Sequence, residues 1–233
     1  MALTDEAISK IRDLIRSDRL APGDRLPPEP QLSAQLGLSR SGLREAIKAL
    51  EVARVLDVRR GDGTYVTSLA PRLLLEGFGF AVDLFRDDSL PEIMEVRRLL
   101  EPAATGLAAA RITGDRLAEL AGLLSKMRAA ARDAELLIGY DAAFHRTVAI
   151  ATGNESLASL LEGLSGRTLR ARMWRGVTTN DKVAAQTIAE HERIYRALCA
   201  RDQNLAQSVA LVHVDTSESW LRALLAEASD KPA

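Results

Sequence analysis

The hydrophobic pattern of this chain departs from helical period only between residues 55 and 67. On either side of that stretch, apolar residues recur at three- and four-residue steps. A 3.6-residue period buries one face of a helix and a 2-residue period one face of a strand, so the pattern describes a small hairpin set in a helical protein. Residues 4–17 carry Ile8, Ile11, Leu14 and Ile15 on one face behind a capping Thr4. Ala21-Pro22-Gly23-Asp24 makes a turn, and Leu26-Pro27-Pro28-Glu29 leads into a short helix with Leu32, Ala34 and Leu36, which Gly37 ends. Ser39 caps a third helix with the inner face Leu43, Ala46, Ile47 and Leu50. Residues 55–60 and 64–67 then read as two short strands around Gly61-Asp62-Gly63.

Beyond Pro71 no strand pattern returns. Helices are predicted at 72–86, 90–111, 114–132, 135–152, 155–175, 180–201 and 203–228. Pro91 suits a first turn, Thr113 and Asn154 suit N-caps, and Gly153 suits a helix end. The expected fold class is mostly α: an N-terminal winged helix-turn-helix with a small β-wing over 1–68, a linker at 69–72, and a C-terminal all-α helical bundle over 73–229. A length of 233 residues suffices for two modest domains, and 47% hydrophobic with 27% charged residues is the balance of a soluble globular chain. The single cysteine, Cys199, excludes an intrachain disulfide and fits a reducing cytoplasm. No apolar run reaches the ~18 residues of a membrane span, and the polar N-terminus is unlike a signal peptide. A cytoplasmic protein is expected.

The net charge of -1 excludes a polyanion-binding surface over the whole protein, but charge is unevenly placed. From Ser39 to Arg60, six basic residues (Arg40, Arg44, Lys48, Arg54, Arg59, Arg60) face three acidic ones (Glu45, Glu51, Asp57), a local excess of three. Arg40, Arg44 and Lys48 fall at i, i+4 and i+8, on the third helix opposite its apolar face. In a winged helix-turn-helix that outer face enters the DNA major groove. Arginine can bind guanine with two prongs, while Ser41 and Lys48 suit phosphates. Gly61 and Gly63, with Thr64, let the wing backbone approach the sugar-phosphate edge, and Arg59 and Arg60 add charge. The competing reading is a solvated helix face. The tri-helical unit followed by a Gly-rich hairpin favours DNA.

All three histidines of the chain, His145, His191 and His213, fall in predicted C-terminal helices. Asp141 and His145 stand at i and i+4 on one helix face. His191 and His213 each lie 11 residues from Asp202, where the last two helices turn, so an antiparallel hairpin brings them level. One carboxylate and three imidazoles then suit a divalent transition metal, zinc first, with nickel, cobalt or manganese as alternatives. A higher coordination number leaves room for water or an organic carboxylate. The competing readings are a surface Asp–His pair, half-buried single histidines, or a purely structural metal site. Arg97, beside Val96, Leu99 and Leu100, can grip a carboxylate or pair with Glu95 or Glu101. Arg170, Arg172 and Trp174 either border a cavity or form a solvated face.

Several ordered motifs resemble the GntR family of bacterial regulators: 20–29 (LAPGDRLPPE), 32–40 (LSAQLGLSR), 43–47 (LREAI) and the wing 61–66 (GDGTYV). In the C-terminal half, 95–101 (EVRRLLE), 141–145 (DAAFH), 190–194 (EHERI) and His213 resemble the ligand-binding domain of its FadR subfamily. The resemblance implies a homodimeric repressor on a palindromic DNA operator, with contacts from Arg40, Ser41, Arg44 and the wing glycines. It also implies a metal on Asp141, His145, His191 and His213 and an effector carboxylate on Arg97. Members that lack these metal ligands bind acyl chains instead. Two positions depart from the family pattern: Pro30 stands where many members carry a DNA-contacting basic residue, and Arg54 replaces a common glycine before the wing.

The function expected is a metabolite-responsive DNA-binding regulator, not an enzyme, with its recognition helices about 34 Å apart in the dimer. The alternative is a metal-dependent hydrolase with a DNA-binding head, with Glu190 or Glu192 nominated as general base. The absence of an HExxH motif weighs against it.

Overall fold

The computed structural model describes the backbone of residues 3–84, 89–174 and 181–229, and their side chains except at 3, 83, 166–174, 181–182 and 224–229. The chain forms two compact units, Met1–Gly77 and Phe78–Ala233.

In the first unit, α1 (Leu3–Arg16), α2 (Glu29–Leu36) and α3 (Arg40–Val52) precede β1 (Leu56–Arg59) and β2 (Gly63–Val66). Ile11, Leu32, Leu43, Ala46 and Leu56 close the core of this unit. Burying one such Leu or Ile contributes roughly 1.5–3 kcal/mol, which holds a unit this small together. Gly37 ends α2 in the left-handed conformation at φ +64°, and the Ser39 hydroxyl caps α3 by accepting from the Gly42 N–H at 3.1 Å. The strands pair antiparallel, from Leu56 opposite Val66 to Arg59 opposite Gly63, around a turn in which Gly61 takes φ +77°. The winged helix-turn-helix is thus built as the period change predicts. Pro30 occupies the first turn of α2, where its missing N–H leaves no intrahelical bond unmade. Arg54 leaves α3 at φ +59°, the left-handed region a glycine reaches without strain. Two contacts hold it there: the Thr67 hydroxyl donates to its carbonyl at 2.8 Å, and its Nε pairs with Glu76 at 2.9 Å.

The helix expected over 72–86 is broken. α4 (Pro71–Leu74) stops at Leu75 and α5 (Glu76–Asp83) starts afresh. Gly77 and Gly79 in this segment weaken helical continuity; residues 85 and 86 lie outside the described residues.

The second unit is helical throughout its described residues: α6 (Leu90–Arg111), α7 (Gly114–Ala129), α8 (Ala134–Ala151), α9 (Glu155–Trp174), α10 (Asp181–Cys199) and α11 (Gln203–Ser229). Caps at Thr113 and Asp133 start α7 and α8, and Gly153 at φ +66° separates α8 from α9. α6 packs along α11 and against α8 and α9, while α7 lies against α8 and α10. Phe144, Leu120, Met127, Ile194 and Leu198 fill the interior between them. This packing turns the inner faces of α6, α8, α10 and α11 toward one another.

Candidate functional site

In the first unit, Arg40, Ser41, Arg44 and Lys48 are all exposed on α3, opposite the buried Leu43, Ala46, Ile47 and Leu50. Arg44 is not loose: its Nε donates to Glu29 Oε2 at 2.6 Å, from the first turn of α2. Lys48 Nζ lies 3.5 Å from Glu45. The wing is braced as well. The Arg25 guanidinium donates to the Asp62 carbonyl, and a Cβ built on Gly63 meets Arg25 Nε at 2.5 Å, so glycine is what lets Arg25 lie under the turn. Tyr65 donates to Asp62 Oδ1 at 3.0 Å, and Arg59 stacks over the Tyr65 ring at 4.3 Å. Gly61 leads the turn, exposed, and Thr64 is half-buried on β2. Glu29 and Arg25 went unmarked as functional in the sequence, because their contacts join segments distant in the chain.

In the second unit, α8 carries Asp141 and His145, α10 carries His191, and α11 carries His213. The Nε2 atoms of His191 and His213 each lie 3.2 Å from His145 Nε2. Asp141 Oδ1 lies 3.2 Å from His191 Nε2 and 3.9 Å from His145 Nε2. The turn at residues 200–202 does set His191 and His213 level, with ring centroids 4.7 Å apart.

The outer nitrogens explain why the inner ones converge. His191 Nδ1 meets the Thr187 carbonyl at 2.7 Å, a pure acceptor, so this nitrogen carries the proton. His213 Nδ1 meets Glu190 Oε2 at 2.8 Å and donates in the same way. Both rings therefore turn an Nε2 lone pair inward. His145 Nε2 can donate to one of them but not to both. Burial strips water from the His145 imidazolium and pushes its pKa down to about 3; His191 and His213 add to the effect, and Asp141 and Glu101 oppose it. Burial likewise lowers the His213 pKa. Three imidazoles turned toward one point, with a carboxylate beside them, are the donor set of a transition metal, and this set fits one. Phe144 packs its edge on His191 at 4.6 Å and shuts that side of the cluster.

Cavities flank the cluster. One, of about 620 Å³, is lined by His145, Glu101, Thr105, Arg116, Glu119 and Arg146 among others. The second, of about 90 Å³, is lined by Asp141, Glu190, Gln186, Thr187 and Trp220 among others. Arg97 is buried on α6 with Nε donating to Glu101 Oε1 at 2.5 Å, the i, i+4 pairing weighed from the sequence. Burial disfavours charge on both groups, but each stabilises the other strongly enough to keep Glu101 below the usual carboxylate range and Arg97 above its ordinary value. Arg97 does not line the larger cavity; Glu101 does. Glu190 is engaged by His213 and Gln186, and Glu192 by Arg128 at 2.8 Å, so both nominated bases already have partners. The side chains of Arg170, Arg172 and Trp174 lie outside the described residues.

Comparison with known proteins agrees with both halves. The family model "Bacterial regulatory proteins, gntR family" matches residues 3–66, and "FCD domain" matches residues 92–216. The HTH-type transcriptional regulator LutR of Bacillus subtilis is 30% identical over 89% of this chain and 96% of its own. The galactonate operon transcriptional repressor of Escherichia coli is 29% identical over 94% of this chain and 96% of its own. Among solved structures, Streptococcus agalactiae GntR superposes with a TM-score of 0.65 at 25% identity, covering 93% of this chain and 99% of that one. These relatives are transcription regulators, not enzymes. With a winged head matched at one end, a helical FCD domain matched at the other and a relative aligned over nearly its whole length, the chain belongs to the GntR family of bacterial transcriptional regulators, in the FCD-bearing, FadR-type arrangement.

Proposed function

We propose that this regulator is a metabolite-responsive repressor whose C-terminal unit binds a small organic acid at a divalent metal. The observation that carries this reading is the inward convergence of the His145, His191 and His213 Nε2 atoms with Asp141 beside them. Asp141, His145, His191 and His213 would hold the ion, zinc first, with nickel, cobalt or manganese as alternatives. The bound ion supplies Lewis acidity toward a carboxylate oxygen. His191 and His213 keep their lone pairs inward because Thr187 and Glu190 hold their outer protons. Arg97 answers the acid's negative charge with its guanidinium. The name of the galactonate operon repressor supports an acid as signal and repression as output.

On the DNA side, Arg40 and Arg44 would read guanine, Ser41 and Lys48 would take phosphates, and Gly61, Gly63 and Thr64 would bring the wing to the sugar-phosphate edge of a palindromic operator. The solvent-facing Val96, Leu99 and Leu107 along one side of α6 support self-association as a homodimer. Among the described residues no helix is long and apolar enough to cross a membrane, and a repressor of this kind works at chromosomal DNA in the cytoplasm. The acid must bind the DNA-competent and DNA-incompetent states unequally, or operator affinity would not change. Gel shift of operator DNA with hydroxy acids, and with a chelator, tests this directly. A several-fold change in operator affinity is expected; affinity indifferent to every acid and to metal removal overturns the sensing half.

A further inference from the structure

Arg97 and Glu101 sit one turn apart on α6, with side-chain exposures of 4% and 8%. Their contact joins Arg97 Nε to Glu101 Oε1 at 2.5 Å. Glu101 and His145 line the larger cavity together, and Arg97 is not among its lining residues. A buried ion pair of this kind adds little that two well-packed apolar residues would not, so stability alone does not explain it. Its chemistry is suggestive: the Glu101 head group is the same carboxylate that an organic acid carries. A ligand arriving from the cavity meets Glu101 before it can meet the guanidinium.

Resting on the effector reading above, we propose that Glu101 is a built-in competitor for the ligand's carboxylate and thereby the residue that restricts the site to anions. An incoming carboxylate gains Arg97 only by loosening Glu101, exchanging one charge-assisted contact for another. A neutral analogue of the same skeleton has nothing to offer Arg97 in exchange and leaves the pair closed. The exchange also lowers affinity, because part of the ligand's binding energy goes into releasing Glu101. The site then responds to an abundant metabolite and ignores a trace one.

Acetate tests this, since it carries a carboxylate and little else. Its binding to the full-length, metal-loaded protein is followed by thermal shift, beside neutral acetamide. Glu101→Gln should bind acetate about tenfold more tightly than the wild type, the equivalent of one charge-assisted hydrogen bond. Acetamide should show no gain, and the double variant Arg97→Met/Glu101→Gln should lose it. An acetate affinity unchanged by Glu101→Gln, or a gain that survives the loss of Arg97, overturns the proposal. Should Glu101→Gln fail to fold, Glu101→Ala leaves room for the missing group. Acetate, but not chloride at equal ionic strength, should then restore folding, and no rescue overturns the proposal. The readout involves no DNA, so the two ideas separate. Acids that shift operator binding while Glu101→Gln gains nothing sink only this inference. A gain in acetate binding with an unresponsive operator sinks only the effector reading.

Discussion

Glu190 Oε2 lies 2.8 Å from His213 Nδ1, although the two residues belong to different helices of the C-terminal hairpin. The contact fixes the tautomer of His213, and with it the direction of the Nε2 lone pair. Burial works against the Glu190 charge, yet the contacts from His213, Gln186 and Thr216 together outweigh it and keep the carboxyl below its usual range.

Glu190→Gln should therefore weaken metal binding without emptying the site. Loss of an outer hydrogen-bond partner typically costs about 10–100-fold in metal affinity. Competition against a chromophoric chelator measures it. An affinity equal to the wild type would show that His213 needs no partner.

His145→Ala should do more than Glu190→Gln, because His145 is the nitrogen that both other imidazoles approach at 3.2 Å. Elemental analysis after desalting should find the variant without metal. Chelation of the wild type should lower its melting point. With metal at 100 times Kd, binding contributes about 2.7 kcal/mol, and a unit of this size loses roughly 5–10 °C with it. A melting curve indifferent to chelator would leave the cluster without an ion to hold.

Arg44→Ala should cost about 1–3 kcal/mol of operator affinity and relax base preference at one position of each half-site. Glu29→Gln offers a finer measurement. Glu29 holds Arg44 Nε at 2.6 Å and repels phosphate. Its neutralisation should raise affinity for random DNA while narrowing the gap between operator and random sequence. Fluorescence anisotropy on both DNAs measures the ratio; an unchanged ratio means the Glu29–Arg44 contact plays no part in recognition.

Gly63→Ala should loosen the wing. The new Cβ lands 2.5 Å from Arg25 Nε and drives the guanidinium off the Asp62 carbonyl. A loss of about 1 kcal/mol in stability of the head is expected, the usual worth of a hydrogen bond. Denaturant unfolding of the full chain measures it, together with weaker operator binding.

The parts of the fold legible in the sequence are those set by local period. The wing shows as a change from period 3.6 to period 2, and the meeting of His191 and His213 shows as their equal spacing about Asp202. Contacts between distant segments left no such mark. Thr187 serves through its backbone carbonyl, which every residue has, so its identity carries no signal. Glu190 reads in the sequence as a candidate base, because a carboxylate beside a histidine looks the same there whether it takes a proton or holds a histidine's outer N–H. Glu101 was visible as an i+4 partner of Arg97, but that it faces the cavity depends on how α6 packs on α8, which spacing along α6 cannot encode. The split near Leu75 leaves no mark in the sequence, because Leu73, Leu74 and Leu75 keep helical composition through the break.

Pro30 bears on how the head behaves in a living cell. A ring without a charged tip, set in the first turn of α2, displaces no condensed cation from the duplex. Each phosphate left unneutralised makes log affinity against log salt shallower by about 0.9. If α3 and the wing make the proposed DNA contacts, the head would release about one counterion fewer on docking than a reader with a basic residue at position 30. Its hold on the operator would then vary slightly less when a bacterium's internal osmolarity swings.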